Sequence, residues 1–129
     1  NGLRNALFGG FADLDDRADR GPLFENAVFG ELLKGLRLLD ELMFWHSKGG
    51  AEVDFVVRRG AHIAGIEVKA GDLRAPRLSR SVRSFAGAYA PACVGVINGS
   101  LRADTSVSGV PVLFRRPWEL GEVLAQLGG

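Results

Sequence analysis

EVDFVVRRGAHIAGIEVK, residues 52–69, is the stretch from which the architecture of this chain can be built. Two runs within it, 52–58 and 62–69, are rich in β-branched and other apolar residues, which favour strands. The pair Arg59-Gly60 between the runs is typical of a tight turn that joins antiparallel strands. The stretch therefore predicts a β-hairpin, around which the other elements can be placed.

Three ionisable side chains interrupt this apolar hairpin: Asp54 in the first strand, and Glu67 and Lys69 in the second. Side chains alternate faces along a strand, so Glu67 and Lys69 are expected to point to the same side. Asp54 and Glu67 lie at a similar distance from the turn, and opposed residues of an antiparallel pair are within about 5 Å of each other. We therefore expect the charges to converge at one end of the hairpin.

Two interpretations of these charges remain open on spacing alone. Two carboxylates with backbone carbonyls form a hard-oxygen site suited to Mg²⁺ or Mn²⁺. A metal there would polarise a phosphate and lower the pKa of a bound water, and a nearby lysine would stabilise the oxyanion. The other interpretation is a structural ion pair between residues of the sheet, which also explains charges in apolar strands.

Hydrophobic periodicity and the positions of Gly and Pro predict the remaining elements. Before the hairpin we expect a helix from Gly21-Pro22 to about Leu39 and a strand at Leu42–Trp45. After it we expect a helix from about Arg77 to Ala90, strands at Cys93–Ile97 and Val110–Phe114, and a closing helix that begins at Pro117. The predicted fold is α/β, a mixed central sheet flanked by helices in the order α-β-β-β-α-β-β-α.

Composition indicates one ordinary soluble domain. The chain has 129 residues and a formal net charge of +1, so no global field implies nucleic acid. Thirteen of the 16 basic residues are Arg, which suits phosphate contacts but is also common in GC-rich genomes. The single cysteine, Cys93, excludes an internal disulfide and lies in an apolar run typical of a buried strand. Without a membrane-length apolar run or a signal peptide, we expect a cytoplasmic protein.

The first 20 residues differ in composition from the rest, being rich in Gly, Asp and Arg. The chain also starts at Asn1 without methionine and in the middle of a pattern. We therefore expect residues 1–20 to be a lead-in segment from a preceding region, and residues 21–129 to form the α/β domain. No Gly-x-x-x-x-Gly-Lys-Ser/Thr motif occurs, so this stretch is not expected to bind and hydrolyse ATP itself.

The order of the motifs resembles a known family. Asp54, followed after a hairpin by Glu67-Val68-Lys69, resembles the PD-(D/E)XK signature of nucleases with a restriction-endonuclease-like fold. The surrounding sequence is similar to the nuclease-like domain of unknown function at the C-terminal end of bacterial and archaeal AAA-type ATPases. The pieces that carry this similarity are GLRNAL (2–7), GPLFEN (21–26), FW (44–45), KGGAEVDFV (48–56) and IEVK (66–69).

The resemblance implies a role for each motif residue. Asp54 and Glu67 would be ligands of Mg²⁺ or Mn²⁺, and the carbonyl of Val68 would be a further ligand. Lys69 would be the catalytic lysine. Glu25, on the first helix, matches the additional helical acid of many members and would complete the site. The resemblance also implies that residues 1–20 follow an ATPase region.

Two other acids are weaker candidates. Glu31 is one and a half helical turns beyond Glu25 and is expected to face elsewhere. Glu52 shares a face with Asp54 but is one pleat removed, which is typical of a charge at the rim of a sheet.

A group of arginines is the candidate nucleic-acid contact: Arg74, Arg77, Arg80 and Arg83. The spacing of three places the last three along one side of a predicted helix that directly follows the acid-x-lysine strand. A basic stripe beside a metal site would suit a phosphate backbone, with DNA favoured over RNA. The same stripe would also suit a solvated face that contacts the ATPase or another partner domain.

Three functions are therefore considered. The first is a metal-dependent nuclease domain, which hydrolyses phosphodiesters in DNA or RNA and serves an AAA-type ATPase. The second is a catalytically inactive module of the same fold that recognises nucleic acid or a partner protein, because fold does not establish function. The third is a structural domain for homo-oligomerisation.

Overall fold

The computed structural model describes residues 17–46, 49–50 and 52–128, with side chains from residue 21 onward. The expected lead-in segment therefore lies outside the described residues, apart from the backbone of residues 17–20. The helices and strands are α1 (Arg17–Gly35), β1 (Glu41–His46), β2 (Glu52–Arg59), β3 (His62–Lys69), α2 (Arg80–Tyr89), β4 (Cys93–Asn98), β5 (Ala103–Val107), β6 (Val110–Arg115) and α3 (Leu120–Leu124). Short 3₁₀ turns, Pro117–Glu119 and Ala125–Leu127, precede and follow α3.

The predicted α/β class and element order are confirmed, with one additional strand. The extra strand, β5, has the sequence ADTSV and alternates between half-buried and exposed positions. Its polar residues did not suggest a strand, but it pairs along its whole length with β6. Ser108 and Gly109, with φ of 52° and 77°, form the two-residue turn between β5 and β6.

The bounds of the helices differ from the prediction. The first helix, α1, begins at Arg17 and ends at Gly35, so Pro22 lies inside the helix rather than at its first turn. The second, α2, begins at Arg80 rather than Arg77, because Ser79 caps its N-terminus. The later start of α2 matters for the site, since it leaves Arg77 on the preceding loop.

The strands form one six-stranded sheet in the order β1-β2-β3-β4-β6-β5. The first three strands are antiparallel neighbours, whereas β4 runs parallel to both β3 and β6. All six residues of β4 are buried, as expected of a central strand covered on both faces. Cys93 is among them and is fully buried, as predicted.

Helices cover both faces of the sheet. On one face, residues of α1 and α3 such as Val28 and Val123 pack with Phe55 and Ile66. On the other face, Val82 and Phe85 of α2 pack with Val56, Val94 and Val96 of the sheet. Gly65 allows the α2 contact, because a Cβ atom there would lie 2.6 Å from Cε2 of Phe85.

The predicted hairpin is present, with Arg59 opposite His62 and a Gly60-Ala61 turn. Gly60 has φ of +62°, a conformation that side chains disfavour at the first turn position. The Arg59 guanidinium binds both carboxylate oxygens of Asp40, at 2.8 and 2.9 Å. This pairing lowers the pKa of Asp40 to about 2, and it fastens the hairpin to the segment that follows α1.

None of the helices formed by the described residues is long and apolar enough to cross a membrane.

Candidate functional site

Asp54 lies in a β-bulge of β2. Met43 of β1 pairs with Val56, but Trp45, two residues further on, pairs with Val53. A single β1 residue, Phe44, therefore faces two residues of β2, Asp54 and Phe55. Because a bulge breaks the strict alternation of side chains, it can direct a side chain where a regular strand could not.

The strands β2 and β3 separate at the same point. Their last paired residues are Phe55 and Ile66. Beyond this pair, Oδ2 of Asp54 accepts a hydrogen bond of 2.7 Å from the backbone amide of Val68. The gap thus places the carboxylate of Asp54 against the backbone of Val68.

Glu67 is held by two partners on the α2 side of the sheet. Its side chain is buried, and the Nζ atom of Lys69 lies 3.0 Å from Oε1. Ser79 Oγ donates a hydrogen bond of 2.7 Å to Oε2. Glu67 and Lys69 therefore lie on the same side of the strand, as alternation predicts. The half-exposed Lys69 balances the buried charge of Glu67 and remains accessible from solvent.

Ser79 is a site residue that the sequence interpretation missed. It is the N-cap of α2, and its Oγ atom accepts a hydrogen bond of 3.1 Å from the backbone amide of Val82. One hydroxyl therefore satisfies the helix terminus and orients the Glu67 carboxylate. The available signal was a serine three residues before Val82, the first buried residue of the helix, which is a typical N-cap position.

Two carboxyl groups near the gap, those of Asp54 and Glu25, have raised pKa values. Burial raises the pKa of Asp54, the hydrogen bond from Val68 lowers it, and the charges of Glu67 and Glu52 raise it further. Glu25, on α1, also has a raised pKa, first because of partial burial and then because of Asp54 and Glu52. Lys69 opposes the effect on Asp54, whose pKa its charge lowers.

Glu25 is brought near the site without joining its hydrogen-bond network. Its side chain is exposed, and the effect of Asp54 on its pKa indicates that the two carboxylates interact through space. The described residues give it no hydrogen bond to Asp54, Glu67 or Lys69. Glu25 therefore borders the gap as a charge from the opposite layer.

The two weaker acidic candidates have other partners. Glu31 forms an ion pair with Lys34 on the same helix, at 2.9 Å. Glu52 is exposed, and its Oε2 lies 3.2 Å from Nδ1 of His46 on the neighbouring strand. Both arrangements agree with the expectation that these residues lie outside the central group.

The predicted metal site can be compared with the arrangement around the gap. Within the part of the chain that the structure describes, no group of three or more His, Cys, Asp or Glu residues is arranged to hold a metal ion. Mg²⁺, however, is commonly held by one or two carboxylates together with waters and substrate phosphates. Asp54, Glu67 and the carbonyl of Val68 would be the donors for such a cation, and Glu67 would have to exchange a contact with Lys69 or Ser79 to bind it.

The four arginines do not form one stripe. Arg74 and Arg77 lie on the loop between β3 and α2, where they line a cavity of about 560 Å³ beside Glu67 and Lys69. Arg80 and Arg83 lie on α2 itself and are exposed, and Arg80 donates to the carbonyl of Gly49 at 3.4 Å. The predicted stripe is divided because α2 begins after Arg77.

The protein is thus a mixed α/β domain. One hairpin bears Asp54, Glu67 and Lys69, and a cavity lined in part by arginines lies beside Glu67 and Lys69. Residues 20–113 match the family described as Domain of unknown function (DUF4143), and the match spans most of the chain. The chain belongs to this family. No curated protein and no solved structure matches the chain in the corresponding comparisons.

Proposed function

We propose that this domain is a metal-dependent nuclease, which hydrolyses phosphodiester bonds in DNA or RNA at the C-terminal end of a cytoplasmic AAA-type ATPase. The observation that carries the proposal is the arrangement around the end of the hairpin. The Asp54 carboxylate lies between β2 and β3 and accepts a hydrogen bond from Val68. Glu67 and Lys69 flank Val68 in the sequence, and their side chains form an ion pair. This is the set of groups that phosphodiester hydrolysis with a divalent cation requires.

The residues have distinct proposed roles. Asp54, Glu67 and the carbonyl of Val68 would hold Mg²⁺ or Mn²⁺, which lowers the pKa of a coordinated water and offsets phosphate charge. The Lys69 ammonium would donate to the attacking water or to a non-bridging phosphate oxygen. Glu25 would add a carboxylate from α1, where the charge of Asp54 contributes to its raised pKa.

The electrostatics support a cation in this place. The raised pKa values of Asp54 and Glu25 arise in part from neighbouring carboxylates, so the ionised forms repel one another. A divalent cation would remove this repulsion and favour the ionised forms of both groups. The repulsion between these carboxylates thus supports a bound cation as part of the proposal.

The basic residues near the gap support a phosphate-containing substrate. Arg74 and Arg77 border the cavity next to Lys69, and Arg80 and Arg83 extend the positive charge along α2. Arg binds phosphate oxygens in a bidentate manner, which suits a nucleic-acid backbone.

A second function is favoured by one specific observation. Both carboxylate oxygens of Glu67 already have protein partners, Lys69 and Ser79. A network closed in this way would also serve an inactive nuclease-fold module that recognises nucleic acid or a partner of the ATPase. In that case the ion pair of Glu67 and Lys69 would be purely structural.

Cleavage assays separate the two functions. Single- and double-stranded DNA and RNA are incubated with the protein in Mg²⁺ or Mn²⁺, alongside Lys69→Ala and Asp54→Asn. Lys34→Ala is the matched control, because Lys34 also pairs with a glutamate but lies on the C-terminal part of α1. If the domain is a nuclease, each site variant should cleave about 10²–10³-fold more slowly than the wild type, and the control should cleave at the wild-type rate.

Two outcomes contradict the nuclease proposal. Cleavage that persists in both site variants would come from a contaminant. Nucleic-acid binding without cleavage by the wild type would favour the recognition module.

A further inference from the structure

We infer that the cavity beside Lys69 holds one unpaired nucleotide of a single-stranded nucleic acid, with its phosphate against Arg74 and Arg77 and its base against the apolar wall. The inference rests on the proposed function and deepens it, because it names the form of substrate that the same site accepts.

The size of the cavity supports an unpaired nucleotide. Its volume of about 560 Å³ lies within the range of about 300–1,000 Å³ that is usual for pockets that enclose small molecules. A duplex, whose major groove alone is about 12 Å wide, is too broad to enter such a cavity. A single nucleotide taken out of the stack is of suitable size.

The outer wall of the cavity is held in place by the loop that follows β4. The backbone amide of Gly99 donates to the carbonyl of Gly71 at 2.7 Å, and Ser100 Oγ donates to the carbonyl of Leu73 at 3.4 Å. A Cβ atom at Gly99 would lie 2.6 Å from Oδ1 of Asp72, so the two loops are in close contact. The loop after β3, which lines the cavity, is therefore held in place by the loop after β4.

The lining comprises an apolar part, a basic part and two acidic residues, Glu67 and Asp72. Leu73, Leu78 and Val96 line the cavity and also pack within the core on the α2 side of the sheet. Arg74 and Arg77 line it from the loop, and neither forms an ion pair with a carboxylate of the described residues. Apolar side chains suit the face of a base, and unpaired guanidinium groups suit its phosphate.

The position of the cavity relates it to the reaction. Glu67, Lys69 and Ser79 line it as well, so a phosphate bound there would lie next to the carboxylate and ammonium groups of the proposed site. Arg80 and Arg83 do not line the cavity, and they remain available to a backbone that continues along α2.

Binding in EDTA tests the inference without any contribution from cleavage. Affinities are measured for a single-stranded oligonucleotide, the matching duplex, thymidine 5′-monophosphate and inorganic phosphate. We expect the single strand to bind about tenfold more tightly than the duplex, and the mononucleotide more tightly than phosphate, because only the nucleotide contacts the apolar wall.

Variants identify the residues. Arg74→Ala and Arg77→Ala should each weaken single-strand binding. Each should also reduce the slope of log affinity against log salt concentration by about one. Arg58→Ala removes the same charge from the hairpin end of β2 and should leave both quantities unchanged. Both loop arginines are exposed, so the variants should unfold at the wild-type denaturant concentration.

Equal binding of single strand and duplex, equal binding of mononucleotide and phosphate, or an equal loss in Arg58→Ala would each overturn the inference. Failure of the nuclease proposal is distinguishable from these results: binding as expected in EDTA, with no cleavage after Mg²⁺ or Mn²⁺ is added, removes the activity but retains the nucleotide site.

Discussion

Oδ2 of Asp54 lies 2.7 Å from the backbone nitrogen of Val68 and accepts its hydrogen bond where the backbone pairing of β2 and β3 has ended. The carboxylate thus takes the place of a strand partner and closes the gap between the two strands. The same carboxylate is the first proposed metal ligand. The Asp54 side chain is therefore expected to contribute both to stability and to the proposed metal binding. Substitutions at this position can distinguish the two contributions.

Two substitutions of Asp54 should have different effects on stability. In Asp54→Ala the amide of Val68 loses its partner, which should lower the free energy of unfolding by about 1–3 kcal/mol. Asp54→Asn retains a carbonyl oxygen in the same place and should remain close to wild type. Urea denaturation measures both values, and equal losses in the two variants would show that the hydrogen bond is unimportant for stability.

Divalent cations should stabilise the folded protein. A ligand that binds only the native state raises the melting temperature, and its effect grows with concentration relative to the dissociation constant. We expect Mn²⁺ to raise the melting temperature of the wild type but not that of Asp54→Asn, as followed by circular dichroism. A similar rise in Asp54→Asn would place the cation elsewhere.

Removal of the Ser79 hydroxyl should affect both α2 and the site. Ser79→Ala loses the N-cap, at a cost of about 1 kcal/mol, and leaves Oε2 of Glu67 without its donor. We expect lower stability and weaker stabilisation by Mn²⁺, whereas Ser79→Thr should restore both. Ser84→Ala, on the same helix, is the control. If Ser79→Ala lost only stability, Ser79 would be a cap without a role in positioning Glu67.

A methyl group added at Gly65 should destabilise the protein, because Phe85 packs directly against this position. A Cβ atom at position 65 would lie 2.6 Å from Cε2 of Phe85, so Gly65→Ala should lower the free energy of unfolding by about 1–3 kcal/mol. Gly30→Ala is the matched control, because no atom lies within 4 Å of the added methyl and alanine favours helix. The double variant with Phe85→Leu should recover part of the loss, and full additivity of the two losses would argue against direct contact.

The ion pair of Arg59 and Asp40 should make stability depend on acid pH. The pKa of Asp40 falls from 3.8 to about 2, chiefly because of its hydrogen bonds with Arg59. Its contribution to stability is therefore complete above pH 3.8 and is lost as the pH falls through about 2. In Arg59→Gln we expect a loss of about 1 kcal/mol at neutral pH and a smaller further loss in acid.

Arg58→Gln is the matched control for this pair, since Arg58 is the adjacent residue of β2 and is exposed. Denaturation at a series of pH values should give it the wild-type profile. An acid dependence in Arg59→Gln as steep as in the wild type would assign the effect to other carboxylates.

Local patterning was sufficient for most of the fold. The β-branched runs, the Gly60 turn and the buried Cys93 strand were predicted because their signals lie within a few residues. The strand β5 was missed because Asp104 and Ser106 are exposed, and its pairing with β6 compensates for weak local preference. The start of α2 was misplaced because the N-cap role of Ser79 was overlooked.

The sequence alone also determined that Glu67 and Lys69 share one side of a strand, since alternation of side chains is a local property of extended backbone. Only the tertiary structure decided where Asp54 points, because its bulge exists through a two-to-one pairing with Phe44 of another strand. Tertiary structure likewise decided that Ser79 binds Glu67 and that Arg74 and Arg77, but not Arg80 and Arg83, border the cavity. Those contacts depend on the path of the loop between β3 and α2. That path is set by packing between residues that are distant in the sequence, so no local pattern predicts it.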